Sequence, residues 1–303
     1  MIAVEPMDDE IGLGHAGRFS RFFGGFSSLN GFRRWLRRSG AGYTERHFGL
    51  QHIEFVAHQT SMTLNDYVEK HTLIPARRGL ESEVLDEHSE NDAADVRRSI
   101  LKFRGLIDGP DMNIAKFCAR CATGDVREHG FSWWRREHQL AGICACFDHG
   151  EPLFFVRGLE SFFAPPHKVL SSGLAQPYLH EHVDHPMVLR YAQFARYMLY
   201  RDRAMDVGLG QLLEVTKYEV GMQFVYAQYK GRRCPHAKTI STYIHQDFPE
   251  RWLRASFPNL FLGTDPVYHP DIDRDEPLRS QASGRGVTLC MAFLFSSVSE
   301  LSS

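Results

Sequence analysis

Two short segments carry the residues best suited to chemistry: Cys118-Ala-Arg-Cys121 and, 25 residues further on, Cys146-Phe-Asp-His149. Each pair is separated by two residues, a spacing at which one tight turn presents two donors to a single ion, and the intervening loop brings the pairs together. Thiolates and a neutral imidazole suit zinc. A lone Cys-x-x-Cys has a redox dithiol as its natural rival, but a second pair of matching spacing favours a metal. Gly150, directly after His149, permits the sharp exit such a knuckle needs. Four protein donors leave no coordination position for water, so the expected zinc is structural. Cys144, His129 and His138 lie nearby and can substitute for a ligand, although packing and hydrogen bonding around the site are their expected roles. A metallohydrolase using Glu128 or Glu137 as base has no His-Glu-x-x-His or comparable spacing to support it.

The chain that must position these residues has 303 of them, enough for two or three modest cores. Hydrophobic residues make up 43% and charged residues 24%, a balance that argues for a folded rather than a disordered chain. The net charge of −2 excludes a polycation, so any nucleic-acid contact must come from a local patch. No apolar run is long enough to cross a membrane, and the opening MIAVEPMDDEIGLGHAG lacks the basic-then-apolar pattern of a secretory signal. A cytoplasmic protein is therefore expected, and in that reducing compartment six cysteines read as metal ligands or buried thiols.

The charge is uneven. Residues 15–78 hold ten Lys/Arg against four Asp/Glu, whereas residues 79–100 hold seven acidic residues against two arginines. That acidic stretch has no apolar periodicity and reads as an exposed linker. Before it, Ile53, Val56 and Ala57, then Leu64, Tyr67 and Val68, repeat helical spacing on either side of a polar break. Thr63 is placed to cap the second helix and Pro75 to end the run. Two short helices across a tight turn suggest a helix-turn-helix, although the turn lacks its usual glycine. After the Cys- and Trp-rich middle, helical periodicity returns over residues 185–256, and VTLCMAFLFSSV has the length of a buried helix or strand. The expected fold is mainly α: a helix-turn-helix region at 1–80, an acidic linker at 81–112, a zinc-ribbon or knuckle module at 113–165, and a helical domain at 166–303 that could be winged-helix-like.

Arg18, Arg21, Arg33, Arg34, Arg37 and Arg38 fall in a stretch without acidic residues, interleaved with Phe19, Phe22, Phe23, Phe26, Phe32 and Trp35. On helices this predicts a buried aromatic face and a cationic outer face able to neutralise phosphates. A solvated basic surface, or one paired with the acidic linker, is the simpler reading of these residues alone. In a reading helix, Asn65 can contact an adenine edge and Thr63 a phosphate, but Thr63 can equally serve only as a cap. Lys230, Arg232 and Arg233 form a second basic cluster, a phosphate-gripping loop or the wing of a winged helix, against the simpler reading of an ordinary exposed loop. Between the metal-binding pairs, Trp133 and Trp134 are expected to pack against the tied turns, with Arg135, Arg136 and His138 projecting to a partner or pairing locally.

The segments KFCARC and HGFSWWRREHQLAGICACFDHGEPL resemble the signature of the TniQ family: a Cys-Pro-x-Cys turn, a Trp-Trp-Arg-Arg-x-His-Gln-Leu segment, and a Cys-x-x-His-Gly turn followed by leucine. The matching positions are Cys118 and Cys121, Trp133 to Leu140, and Cys146, His149, Gly150 and Leu153. Ala119 stands where the family usually has proline, which costs turn rigidity but no ligand. PMDDEIGLGHAGRFSRFFGG is similar to the family's opening, FVAHQTSMTLNDYVEKHTLIPARRG to its helix-turn-helix, and the C-terminal half, more loosely, to longer TnsD-like members. The resemblance implies a non-enzymatic, zinc-containing adaptor of DNA transposition that selects the target site. Such a protein binds double-stranded DNA or docks on an RNA-guided CRISPR effector, and recruits an AAA+ ATPase regulator at the bacterial nucleoid. With the resemblance, DNA or protein docking goes ahead of a merely solvated basic face. A homodimer is also expected, because helix-turn-helix units commonly present a self-complementary face. A stand-alone zinc-dependent DNA-binding regulator is the alternative.

Overall fold

A computed structural model describes residues 4–23, 28–38, 53–54, 56–77, 80, 114–219, 240–258 and 284–302. The fold is mainly helical, and none of the described helices is long and apolar enough to cross a membrane. The acidic stretch at 81–112 and the cluster at 230–233 lie outside the described residues. The chain divides into two compact units, Met1–Ile74 with His88–His180, and Pro75–Glu87 with Glu181–Ser303. The regions expected at 1–80 and 113–165 fall largely within the first unit, and most of the region expected at 166–303 within the second.

The first unit opens with a segment that turns at Asp8–Asp9 and leads into α1 (Gly12–Phe23), followed by α2 (Leu29–Arg38). Residues 53–54 and 56–58 are helical, a turn follows at 59–62, and α3 spans Leu64–His71. Thr63 caps α3 as its spacing predicts, its Oγ1 accepting the Asp66 N–H at 3.1 Å. Ile53, Val56, Ala57, Tyr67 and Val68 are all buried, in one cluster with Ala16, Phe32, Ile74 and Phe163. The helical hairpin is therefore closed by the apolar stripe visible in the sequence, and α1 and α2 complete its core.

Three antiparallel strands follow in the order β1 (Ile114–Phe117), β2 (Phe154–Arg157) and β3 (Gln176–Pro177), with Ala115 opposite Val156 and Phe155 opposite Gln176. Between β1 and β2 lie α4 (Ala119–His129) and a single 3-10 turn, Glu137–Gln139. A second 3-10 stretch, Leu159–Phe163, precedes α5 (Pro166–Ser171). Trp134 is the hub. Its indole meets Phe117 and Phe162 edge-on at 5.6 and 5.2 Å and donates its N–H to the Ala164 carbonyl at 2.9 Å. Helix α1 comes close enough to this hub to demand glycine: a Cβ on Gly14 would sit 2.9 Å from Trp134 Cβ, and one on Gly17 2.3 Å from the Phe162 carbonyl oxygen.

The second unit holds α6 (Pro186–Tyr200), α7 (Asp206–Glu219), α8 (Ile240–Asp247), α9 (Glu250–Ser256) and α10 (Gly284–Leu294). The apolar VTLCMAFL run forms α10, with Val287, Leu289, Cys290, Met291 and Ala292 buried. Trp252 of α9 is enclosed by Tyr191, Phe248 and Phe257 at 5.1–5.4 Å. Among the described residues, all strands belong to the first unit, so no wing is seen beside these helices.

Candidate metal centre

Strand β1 delivers Cys118 to the N-cap of α4 in extended conformation, and Cys121 lies in the first turn of that helix. The unpaired N–H groups and the positive end of the helix dipole favour thiolates there. The second pair sits on a hairpin. Leu153 N–H donates to Cys144 O at 2.8 Å, Cys146 N–H donates to Glu151 O at 2.9 Å, and Gly150 N–H donates to Cys146 O at 2.8 Å. Gly150 turns the chain at φ +65°, a left-handed conformation that glycine adopts without strain.

These two turns bring the four donors together, all within 4.8 Å of one another, with the three cysteines buried and His149 half-buried. His149 Nδ1 lies 3.6, 3.3 and 3.5 Å from the sulfurs of Cys118, Cys121 and Cys146, and the Cys121 and Cys146 sulfurs are 3.6 Å apart. Metal–thiolate bonds of about 2.3 Å and an imidazole bond of about 2.0 Å, at tetrahedral angles, place neighbouring donors roughly 3.5–3.8 Å apart. The cluster matches that geometry and can hold one metal ion. Hydrogen bonds from the Cys121 and Cys146 thiols hold the Cys118 thiol far below the usual range, while the bonds to Cys118 push the Cys121 thiol up and raise Cys146 to about 11.

Cys144, His129 and His138 are not in the cluster. Cys144 is buried, His129 packs edge-on against Trp133 at 5.4 Å, and His138, wholly buried, is held down to about 3 first by desolvation and then by Arg135.

Between the pairs, residues 132–140 turn inward. Trp133 Nε1 donates to Asp8 O at 3.2 Å, and Ile11 N–H donates to Trp134 O at 2.8 Å. Arg135 forks onto both carboxylate oxygens of Asp125, each at 2.8 Å, and lies 4.6 Å over the Trp133 ring. Arg136 pairs with Asp9 at 3.2 Å and donates to the carbonyls of Glu69 and Thr72. Gln139 acts as a strand substitute, accepting the Lys116 N–H at 2.9 Å and donating to Lys116 O at 2.7 Å. Arg135 and Arg136 both pair locally within this unit.

The basic stretch is divided. Arg18 does not join an outer cationic face: it is buried and bonded to both Glu10 oxygens, at 3.1 and 2.6 Å. The bidentate carboxylate offsets the cost of enclosing the guanidinium. Conversely, Phe22 and Phe23 are exposed rather than buried. Arg21 is exposed and donates to Phe163 O at 2.8 Å, and Arg34 and Arg38 are exposed on α2. Arg33 and Arg37 belong to α2, with their side chains outside the described residues, and Lys230, Arg232 and Arg233 lie wholly outside them. Thr63 is exposed but engaged with Asp66, and Asn65 is half-buried. Asp9 and Glu10, within the opening segment, anchor the network.

A Cys3His cluster able to hold one metal ion thus sits in the same compact unit as the helical hairpin. The sequence model of the TniQ family matches residues 1–153 of the chain, from the opening segment through the metal-binding hairpin. The chain belongs to the TniQ family, whose members act in transposition-associated target selection. No curated protein matches the chain.

Proposed function

We propose that this protein is a zinc-organised, non-enzymatic adaptor that selects the target site for a DNA transposon. In this reading it contacts double-stranded DNA, docks on a targeting element such as an RNA-guided CRISPR effector, and recruits an AAA+ ATPase regulator. The observation that carries it is the closed donor set. Cys118, Cys121, Cys146 and His149 supply four ligands to one position, and soft thiolates with imidazole select zinc and leave no site for an activated water. The module then serves to hold docking surfaces in place.

The cationic surface of that adaptor is assigned to Arg21, Arg34 and Arg38, all exposed; Arg34 and Arg38 stand four residues apart on one face of α2. The test is a gel-shift titration against salt, alongside a pull-down using the AAA+ ATPase as bait. Reversing Arg34 and Arg38 to Glu should weaken DNA binding and flatten the log–log salt slope by about 0.9 for each phosphate no longer neutralised. Unchanged affinity and slope would remove α2 from the DNA surface, and failure to retain the ATPase would defeat the adaptor reading.

A further inference from the structure

We propose that metal binding fixes the second helix of the helix-turn-helix, and that Arg135 and Arg136 transmit the constraint. This rests on the metal reading and not on the transposition partner. The metal and the helical hairpin are separate in sequence, yet two adjacent arginines bond to both sides.

On the metal side, α4 carries Cys121 in its first turn and Asp125 one turn later. Arg135 grips the Asp125 carboxylate through two 2.8 Å hydrogen bonds, so its position is set by the helix that holds two ligands. Its main chain is pinned as well: Arg135 bridges antiparallel to Glu10, and its carbonyl accepts Gln139 Nε2 at 2.9 Å. Gln139 in turn holds Lys116 of β1, two residues before Cys118.

On the hairpin side, Arg136 is buried and its guanidinium reaches the Glu69 and Thr72 carbonyls at the C-terminal end of α3. Those carbonyls have no acceptor role within the helix and carry the negative end of its dipole, so a buried cation there is strongly oriented. Asp9 completes the clasp, pairing with Arg136 at 3.2 Å and accepting the Glu137 N–H at 3.1 Å. His71 of α3 adds a bond to Glu10 O at 2.9 Å. Without the metal, α4 and the turn that carries Cys146 and His149 lose their common anchor, and the Arg135–Arg136 segment, held to α4 through Asp125, loses its fixed geometry. The apolar cluster around Tyr67 and Val68 still holds α3 in place; the carbonyl clasp at its C-terminal end is what loosens.

The experiment is hydrogen exchange of the full chain by mass spectrometry, before and after chelation, with metal content measured first. Peptides covering 64–72, 116–123 and 144–150 are followed, and 286–292 in the second unit reports global unfolding. Chelation should speed exchange in both ligand peptides and, by about tenfold, in 64–72, with 286–292 unchanged. In Arg136→Met, the metal should remain bound while 64–72 exchanges fast from the start and chelation adds nothing further. Arg136→Lys, which keeps the charge without the fork, should fall between the two and covers the case in which the Met variant does not fold. Absence of metal in the purified protein defeats the metal reading. Metal present with 64–72 indifferent to chelation, or equally responsive in Arg136→Met, overturns the proposed transmission.

Discussion

Replacing Cys146 by serine removes one sulfur from a cluster in which that sulfur lies 3.6 Å from Cys121 Sγ and 3.5 Å from His149 Nδ1. A serine hydroxyl does not ionise near neutral pH, so the site loses both a donor and the charge that balances the cation. Zinc held at roughly a thousand times its dissociation constant contributes about 4 kcal/mol through mass action alone. In a unit of roughly 150–250 residues, 1 kcal/mol moves the melting temperature by about 2–4 °C, so the expected fall is on the order of 10 °C. The same fall should follow chelation of the unmodified protein. Metal analysis after purification without added zinc should return about one zinc per chain. Cobalt substitution should give the intense visible bands of a tetrahedral thiolate site, weakened in the serine variant. A chelator shift under about 2 °C, or a metal-free protein with undiminished stability, would refute the assignment.

Two further outcomes follow from the packing around that centre. His15 accepts from the Tyr67 hydroxyl at 2.9 Å through Nδ1 and donates to Val4 O at 2.6 Å through Nε2, and burial holds its pKa down to about 3 from 6.5. The imidazole is neutral in the fold, so as pH falls through 6.5 the unfolded chain takes up the proton first, and stability is lost from there down to about 3. Between pH 7.5 and 5.5 the unmodified protein should lose about 1.4 kcal/mol more than His15→Gln in urea titrations; equal losses would contradict a neutral, buried His15. For Gly17→Ala, the new Cβ would meet the Phe162 carbonyl oxygen at 2.3 Å, whereas at Gly124 nothing lies within 4 Å. Gly17→Ala should therefore destabilise by about 1–3 kcal/mol or more, and Gly124→Ala, on α4, should stabilise by roughly 0.5–1 kcal/mol. Similar midpoints for the two variants would argue against the close approach of α1 to the Leu159–Phe163 turn.

The Cys3His cluster was legible because metal-binding potential is written in residue type and spacing: two tight turns, each with two donors separated by two residues, need no tertiary information to be recognised. The helical hairpin was legible for a related reason. Ile53, Val56 and Ala57, and then Tyr67 and Val68, repeat at helical intervals, and each is buried. Charged residues carry no such mark. A buried arginine and a solvated one look alike in sequence, because what separates them is a partner supplied by the fold. Arg136 meets Asp9 across 127 positions, and the Asp125 carboxylate that fixes Arg135 comes from the metal-bearing helix. Arg18 likewise turned inward to Glu10, leaving Arg21, Arg34 and Arg38 exposed.

The sequence by itself determined the donors, the helical hairpin and the family signature, since each is set by local spacing. Only the tertiary structure decided that the Trp-Trp-Arg-Arg segment is an internal clasp, and that hairpin and metal knuckle share one unit. Burying a guanidinium is favourable only where carboxylates and helix-terminal carbonyls converge on it, and that convergence is a property of three-dimensional packing.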